Sequence, residues 1–532
     1  MNVAQDLDAR WQRARQHFDA GDMDAAIAEL EAVVAQEPRH PRAWLLLARI
    51  AQGERRCRAA VEYARNAAAA VHETGDGSAL AETALLLQAL GESLMALRLI
   101  GAINLNQAQA LASADKLAQC LGLADQHEPA LRLLDHAIAR SAPTPALVFM
   151  RATTLRHLGR RDEATAEYQR CLDMAPAYAA AMLMLAQHDR HADAPGQLER
   201  IRNALLVAAP GEPATAALEY ALFIHLDAAG DTDGAWQALM RGAAIKRSSL
   251  TWQPSRDAER LDAIREVCRG PARPRPQEAS GRVPIFIVGQ PRTGTTVMER
   301  ILGNHSQVAS AGELNDFHLQ LCWQTDLLLE HVDPLLVRAA ADVDLAAVGR
   351  GYLQRTGWRG GDRRYLIDKL PANIWYAGLI HQALPAARII CMVRDPLDTC
   401  FSNLKELFAG SAYPYSYDPL EAAGHHLRLR ELLAHWEEVM PGVVLAVNYE
   451  DMVRDPLAVA QRVMEHCGLP FEPECVDLER NITPSATASS SQVREPVHTR
   501  GIGAWRRYAG QLEGARTMLA AALPQSAFAA PP

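Results

Sequence analysis

Lysine is almost missing from this 532-residue chain: of 54 basic residues only Lys116, Lys246, Lys369 and Lys405 are lysines. Alongside this the chain is very rich in alanine, a composition we read as coding bias. Arginine is therefore the default cation, and a lysine inside a motif carries information. Excess positive charge is missing too. The formal net charge is −9 at pH 7, which excludes a global field for nucleic acid or an anionic membrane. Any anion bound here needs a local site. The nine cysteines, from Cys57 to Cys475, include no CxxC pair, which argues against a disulfide framework or zinc module and for a reduced compartment. Long hydrophobic runs are lacking as well. The most apolar stretch, 84–112, is broken by Gln88, Glu92, Arg98, Asn104 and Gln107, so nothing reaches the ~18–20 residues that span a bilayer. The first residues, MNVAQDLDARWQ, lack a basic segment followed by an apolar one, so no signal peptide is expected. These absences predict a cytoplasmic protein with no membrane span and no nucleic-acid partner.

What is present is globular in character, with 49% apolar and 22% charged residues, which excludes wholesale disorder. The first 245 residues are helix-patterned and rich in Ala and Leu. A repeat runs through them. Ala26 and Ala60 lie 34 residues apart, as do Ala130 and Ala164, and a small residue precedes each by 12 positions (Ala14, Ala48, Ala118, Ala152). Pro38 and Pro176 close two of the frames. Small residues let paired helices approach closely, large ones such as Trp44 and Leu47 fill the gap to the next pair, and proline ends the second helix. The spacing predicts helix pairs at 7–40, 41–74, 111–144 and 145–178, a weaker pair at 179–210, a last one at 215–245, and a degenerate pair at 75–110. This pattern resembles a tetratricopeptide array.

Texture changes after residue 245. The segment 246–282 contains PARPRPQEASGR, which is too rich in Pro and Arg for a long helix and is expected as a linker. Beyond it, VPIFIV (283–288), RYLI (364–367), RIICMV (388–393) and VVLAV (443–447) are short and mostly β-branched, with helix-like segments between them. That alternation predicts an α/β domain around a mostly parallel sheet.

Gly289-Gln-Pro-Arg-Thr-Gly294-Thr-Thr296 directly follows the first of these strands and precedes a helix start. A glycine-containing loop at a helix N-terminus is a concavity for phosphate oxygens. The spacing fits the general phosphate loop GxxxxGK[ST], except that Thr295 occupies the lysine position. A nucleoside triphosphatase uses that lysine on the β- and γ-phosphates, so γ-phosphate chemistry is disfavoured.

PRTGTT after an apolar strand resembles the 5′-phosphosulfate loop of sulfotransferases. CMVRDPLDTCFS, with Arg394 at a strand end and Ser402 eight residues on, resembles the same family's 3′-phosphate motif. YLIDKLPANI places Lys369 where the family has a lysine near the sulfuryl group. The resemblance covers about 283–510 and implies the donor 3′-phosphoadenosine 5′-phosphosulfate, released as adenosine 3′,5′-bisphosphate, with no metal. Small-molecule sulfotransferases carry a His two residues after this lysine, but here Pro371 stands there. Protein-tyrosine sulfotransferases instead carry a Glu about twenty residues beyond the loop arginine, a position that Glu313 matches 21 residues after Arg292. His305 reads as a helix-end residue.

The implied catalytic set is Glu313, Arg292 and Lys369. The implied donor-binding set is Arg292, Thr293, Gly294, Thr295, Thr296, Arg394 and Ser402, with Tyr449, Arg500 and Gly501 as weaker matches. The stretch 487–492 is expected as a lid. The expected architecture is an all-α tetratricopeptide solenoid over 1–245, a linker over 246–282, and an α/β sulfotransferase domain over 283–532. The helical array and the Glu-type base favour a tyrosine of a peptide or protein as acceptor. A carbohydrate or small-molecule hydroxyl, a non-catalytic scaffold and a phosphate-loop kinase or NTPase stay open as alternatives, and the oligomeric state is not fixed by the sequence.

Overall fold

The computed structural model of the protein describes residues 3–102, 111–188, 194–270, 281–481, 483–484 and 497–528. Among the described residues, fourteen helices fill the repeat region in pairs: α1 (Val3–Asp19) and α2 (Met23–Gln36), α3 (Pro41–Gly53) and α4 (Cys57–Thr74), α5 (Gly77–Ala89) and α6 (Ser93–Gly101), α7 (Ala114–Leu123) and α8 (His127–Arg140). The series continues with α9 (Pro145–His157) and α10 (Arg161–Met174), α11 (Ala179–His188) and α12 (Ala194–Val207), α13 (Pro213–Ala229) and α14 (Thr232–Ser248). Of the small residues that set the repeat register, Ala14, Ala26, Ala48, Ala60, Ala130, Ala152 and Ala164 have no exposed surface and Ala118 has 1%. The pair expected to be degenerate at 75–110 is present as α5 and α6.

Packing groups the chain into two compact units, one of Met1–Thr154 with Asn315–Asp344, the other of Leu155–Leu314 with Leu345–Pro532. In the first unit the segment after Leu314 completes the helical packing. The N-cap of α4, Arg56, brings no capping side chain, so the helix's first N–H groups need acceptors from elsewhere. Asp326 supplies one, taking the Arg58 N–H at 2.7 Å. The Arg58 guanidinium donates to the carbonyls of Trp323 (3.1 Å) and Gln324 (2.8 Å), and Trp323 and Leu328 pack on the apolar core of α3–α8.

The second unit holds a five-stranded sheet of β1 (Val283–Gly289), β2 (Val308–Ser310), β3 (Tyr365–Asp368), β4 (Arg388–Val393) and β5 (Val444–Asn448). The order is β2-β3-β1-β4-β5, and every pairing is parallel. Four strands lie within a residue of the expected runs. β2 is the one missed, because three residues show no periodicity. Ile285, Phe286, Ile287 and Val288 are all fully buried, as a strand covered on both faces requires. Each such side chain contributes roughly 1.5–3 kcal/mol. Part of the expected linker is also folded: α15 (Ser255–Val267) buries Leu261 and Ile264, which a helix-compatible sequence before the Pro-Arg tract permits. Residues 271–280 lie outside those described.

In this unit α16 (Thr295–Gly303) follows β1 and α19 (Leu345–Thr356) precedes β3, while α17 (Asp316–Thr325) and α18 (Pro334–Ala339), between them in the chain, belong to the first unit. After β3 comes α20 (Ala377–Ala383), and after β4 come α21 (Pro396–Leu404) and α22 (Pro419–Val439). The chain closes with α23 (Tyr449–Arg454), α24 (Pro456–Cys467) and α25 (Glu513–Ala522). Within this unit α13 and α14 are tied to the α/β part. Tyr220 donates to the Leu404 carbonyl at 3.0 Å, and Arg247 donates to Glu421 at 2.7 and 3.0 Å. Among the described residues no helix is long and apolar enough to cross a membrane.

Candidate functional site

The glycine loop, Glu313, Lys369, Arg394 and Tyr449 each follow the C-terminal end of a strand of the sheet, the edge where open parallel sheets hold ligands at the point where strand order reverses. β1 sits at that point, between β3 and β4. Its end needs glycine. At Gly289 φ is +138°, and a Cβ there would meet the Met392 carbonyl oxygen at 2.5 Å. At Gly294 φ is +95°, and a Cβ would meet the Tyr449 ring at 2.6 Å. Between them Arg292 holds φ +69°, a conformation that L-residues with a side chain rarely adopt.

The loop's carbonyls are drawn outward one after another. Gln290 accepts from the Thr293 hydroxyl at 2.7 Å, Pro291 from Asn403 Nδ2 at 2.9 Å, and Arg292 from Arg394 Nη1 at 2.8 Å. Because peptide bonds are trans, pulling the 291 and 292 carbonyls one way turns the Arg292 and Thr293 N–H groups the other way. The N-terminus of α16 follows, with Thr295 and Thr296 buried. These residues fit a phosphate or phosphosulfate group.

One strand over, Lys369 follows β3 and is 1% exposed. Its Nζ donates to Glu313 Oε1 at 2.5 Å and lies 3.8 Å from Glu299 Oε2. Glu299 is held by the Ser310 hydroxyl at 2.6 Å. Burial works to lower the Lys369 pKa, but Glu313, Glu299 and Asp368 outweigh it and hold the ammonium above its ordinary value. Glu313 itself is 44% exposed, so the pair has one buried and one accessible member.

Arg394 gathers the third cluster. Besides the Arg292 carbonyl it donates from Nη2 to the Gly501 carbonyl at 2.5 Å, and its guanidinium lies over the Tyr449 ring at 4.5 Å. A Cβ on Gly501 would meet the Tyr449 hydroxyl at 2.8 Å. Arg394, Tyr449 and Gly501 thus converge with the loop, and among the described residues Arg394 Nε, which is buried, has no hydrogen-bond partner. Ser402 lies partly buried on α21, one residue before the loop-binding Asn403, and Arg500 is exposed beside Gly501. The stretch 487–492 lies outside the described residues. His305 uses both ring nitrogens structurally, Nε2 on the Pro470 carbonyl and Nδ1 on the Gln307 N–H.

Residues 284–473 match the model of the sulfotransferase family, and 7–50 and 146–178 match tetratricopeptide repeat models. Residues 284–473 form a sulfotransferase-family domain. An uncharacterized protein of Aquifex aeolicus (strain VF5) is 32% identical over 234 residues, 42% of this chain and 30% of that protein. A putative protein-tyrosine sulfotransferase of Caenorhabditis briggsae is 24% identical over 226 residues, 42% of this chain and 80% of that one. The sulfotransferase domain from the Synechococcus PCC 7002 olefin synthase aligns with TM-score 0.33 and 20% identity, over 47% of this chain and 100% of its own. The chain spans less than a third of the length of the Aquifex relative.

The sulfotransferase domain also uses residues that sequence reading passed over. Asp398 accepts the Gly503 and Trp505 N–H groups at 2.6 and 3.2 Å, fixing the segment after Gly501. Glu450 accepts the Asp395 N–H at 2.9 Å. Tyr413 holds φ +51°, and burial, then the charge of Glu313, keeps its phenol protonated. None of these has a local signature. Lys405 did: it is one of four lysines in the chain.

Proposed function

We propose that this protein moves a sulfuryl group from 3′-phosphoadenosine 5′-phosphosulfate to a tyrosine hydroxyl of a peptide or protein. The observation that carries the reading is the Glu313–Lys369 pair, standing after two neighbouring strands beside the loop-bearing β1. The donor supplies an activated S–O bond, and its adenosine 3′,5′-bisphosphate half leaves with the bond electrons. The loop N–H groups, Thr293, Thr295, Thr296 and Arg292 would hold the 5′-phosphosulfate, and Arg394 with Ser402 the 3′-phosphate. Tyr449, Arg500 and Gly501 would border the nucleotide.

Glu313, accessible to solvent, takes the proton from the acceptor hydroxyl. Lys369 offsets negative charge growing on the departing oxygen, together with Arg292. An ammonium drawn toward that oxygen loosens its hold on Glu313, leaving the carboxylate a better base. Positioning and electrostatics therefore account for the rate. The Glu-type base, the tetratricopeptide repeats, whose arrays commonly bind peptides, and the similarity to the putative protein-tyrosine sulfotransferase of Caenorhabditis briggsae support a peptide or protein acceptor. Incubating the full chain with sulfur-labelled donor and a tyrosine peptide tests this, with a serine peptide and an oligosaccharide as comparisons. Label on the tyrosine peptide alone is expected. Label on the sugar alone would reassign the acceptor, and no binding of adenosine 3′,5′-bisphosphate would overturn the reading.

A further inference from the structure

We propose that Lys405 is an anion-binding residue of the donor site, its ammonium completing with Arg292 and Arg394 a three-cation rim for a phosphate or sulfate group of the nucleotide. The inference rests on the donor-site reading above and adds a residue to it. Lys405 directly follows α21 and its backbone N–H bonds to the Phe401 carbonyl at 3.1 Å. That last turn is clamped on two sides, by Asn403 to the loop carbonyl of Pro291 and by Tyr220 to the Leu404 carbonyl. The ammonium rests over the Phe401 ring at 4.5 Å. Among the described residues no hydrogen-bond acceptor or carboxylate lies within bonding distance of it.

The charged groups that face it come from four elements. Arg292 on the loop and Arg394 after β4 repel it, while Asp227 on α13 and Asp398 on α21 attract it. Both acids are already committed. Asp227 takes the Tyr508 hydroxyl at 2.7 Å and pairs with Arg507 at 3.0 Å. Asp398 takes the N–H groups of Gly503 and Trp505. Glu406, next in sequence, is pushed toward its neutral form by burial and feels Arg292 and Arg156 before Lys405. Asp227 is thus paired with another cation and Asp398 is engaged by backbone N–H groups, so among the described residues the ammonium beside two arginines has no anion in direct contact. Burial pushes its pKa down to about 8, against Asp227 and with Arg292 and Arg394. A dianion arriving beside it reverses that depression, so donor binding near pH 8 draws in a proton.

The test is calorimetric titration of the full chain with adenosine 3′,5′-bisphosphate at pH 8, in two buffers of different ionisation enthalpy. For the wild type, uptake of about half a proton is expected, because a group with pKa near 8 starts half-protonated and ends protonated. Lys405→Met should abolish the uptake and weaken binding about tenfold. Lys405→Arg, always charged, should bind as tightly as wild type without uptake, which also shows that the position tolerates replacement. Adenosine 5′-monophosphate locates the contact. An equal loss for both nucleotides in Lys405→Met assigns the ammonium to the 5′ side, and a loss confined to the bisphosphate assigns it to the 3′-phosphate. Unchanged affinity and uptake in Lys405→Met would overturn this inference and leave the donor site standing. No binding by the wild type would overturn both.

Discussion

Lys369 Nζ and Glu313 Oε1 lie 2.5 Å apart, although 56 residues separate them in the chain. The lysine is buried against two carboxylates, Glu313 and Glu299, and only Glu313 opens to solvent. A proposed base and a proposed charge-stabilising group are therefore each other's partner before any substrate is bound.

Glu313→Gln keeps the shape and removes the base. Turnover should fall about 10²–10⁴-fold, the usual worth of a general base, while calorimetric affinity for adenosine 3′,5′-bisphosphate stays as in wild type. A parallel loss of affinity would instead make Glu313 a structural residue of the loop.

Lys369→Met leaves Glu299 and Glu313 facing one another without a counter-charge. Losing a charged hydrogen bond of this kind costs about 1–3 kcal/mol, measured by urea unfolding at pH 7. The pH dependence has a definite sign. The folded pKa is raised above the ordinary 10.5, so the contribution is complete below that value and fades as pH rises through the folded one. The gap between wild type and variant should narrow only above about pH 10.5. A gap that closed near neutral pH would show that the ion pair is not its source.

The two loop glycines should differ in their tolerance of a methyl group. Both hold positive φ, which alone costs an alanine about 1–3 kcal/mol. Gly289→Ala adds a clash with the immovable Met392 carbonyl, whereas Gly294→Ala presses on a Tyr449 ring. Gly289→Ala should therefore lower the melting temperature further. The reverse order in calorimetric melts would mean that β1 and β4 can part at their ends.

Buried histidines set the acid limit. Burial pushes His127 and His318 down to about 4 and His426 to about 3, the last helped by Arg430 and His425. His426 Nδ1 donates to Gln290 Oε1 at 3.0 Å, within the loop. Each is neutral in the fold yet protonates near 6.5 when unfolded, so stability is intact above that pH and declines as pH falls toward the folded values. A single such group steepens the decline by up to about 1.4 kcal/mol per pH unit. His426→Phe should be less stable at pH 7 but lose less on going to pH 4.5. Parallel unfolding curves for the two proteins would remove His426 from the account.

Much of this molecule is written locally. The 34-residue alternation of small and large residues specifies helix pairs, because close helix approach needs alanine at fixed positions and those positions are buried. Four strands declare themselves as β-branched runs, and the loop by its glycines, because strand burial and positive φ are properties of single residues and their neighbours. Tertiary structure alone decided the rest. β2 is too short for a pattern, and it precedes Glu313. The segment 315–344 packs with the first helices because an uncapped α4 takes Asp326 as its acceptor, a pairing across 268 positions. The convergence of Arg394 on the Arg292 and Gly501 carbonyls, and the engagement of Asp227 and Asp398 by groups other than Lys405, depend on which groups meet. That follows from the β2-β3-β1-β4-β5 order and the helices packed upon it, because ion pairs form between groups that are near in space, and nearness in space has no periodicity along a chain.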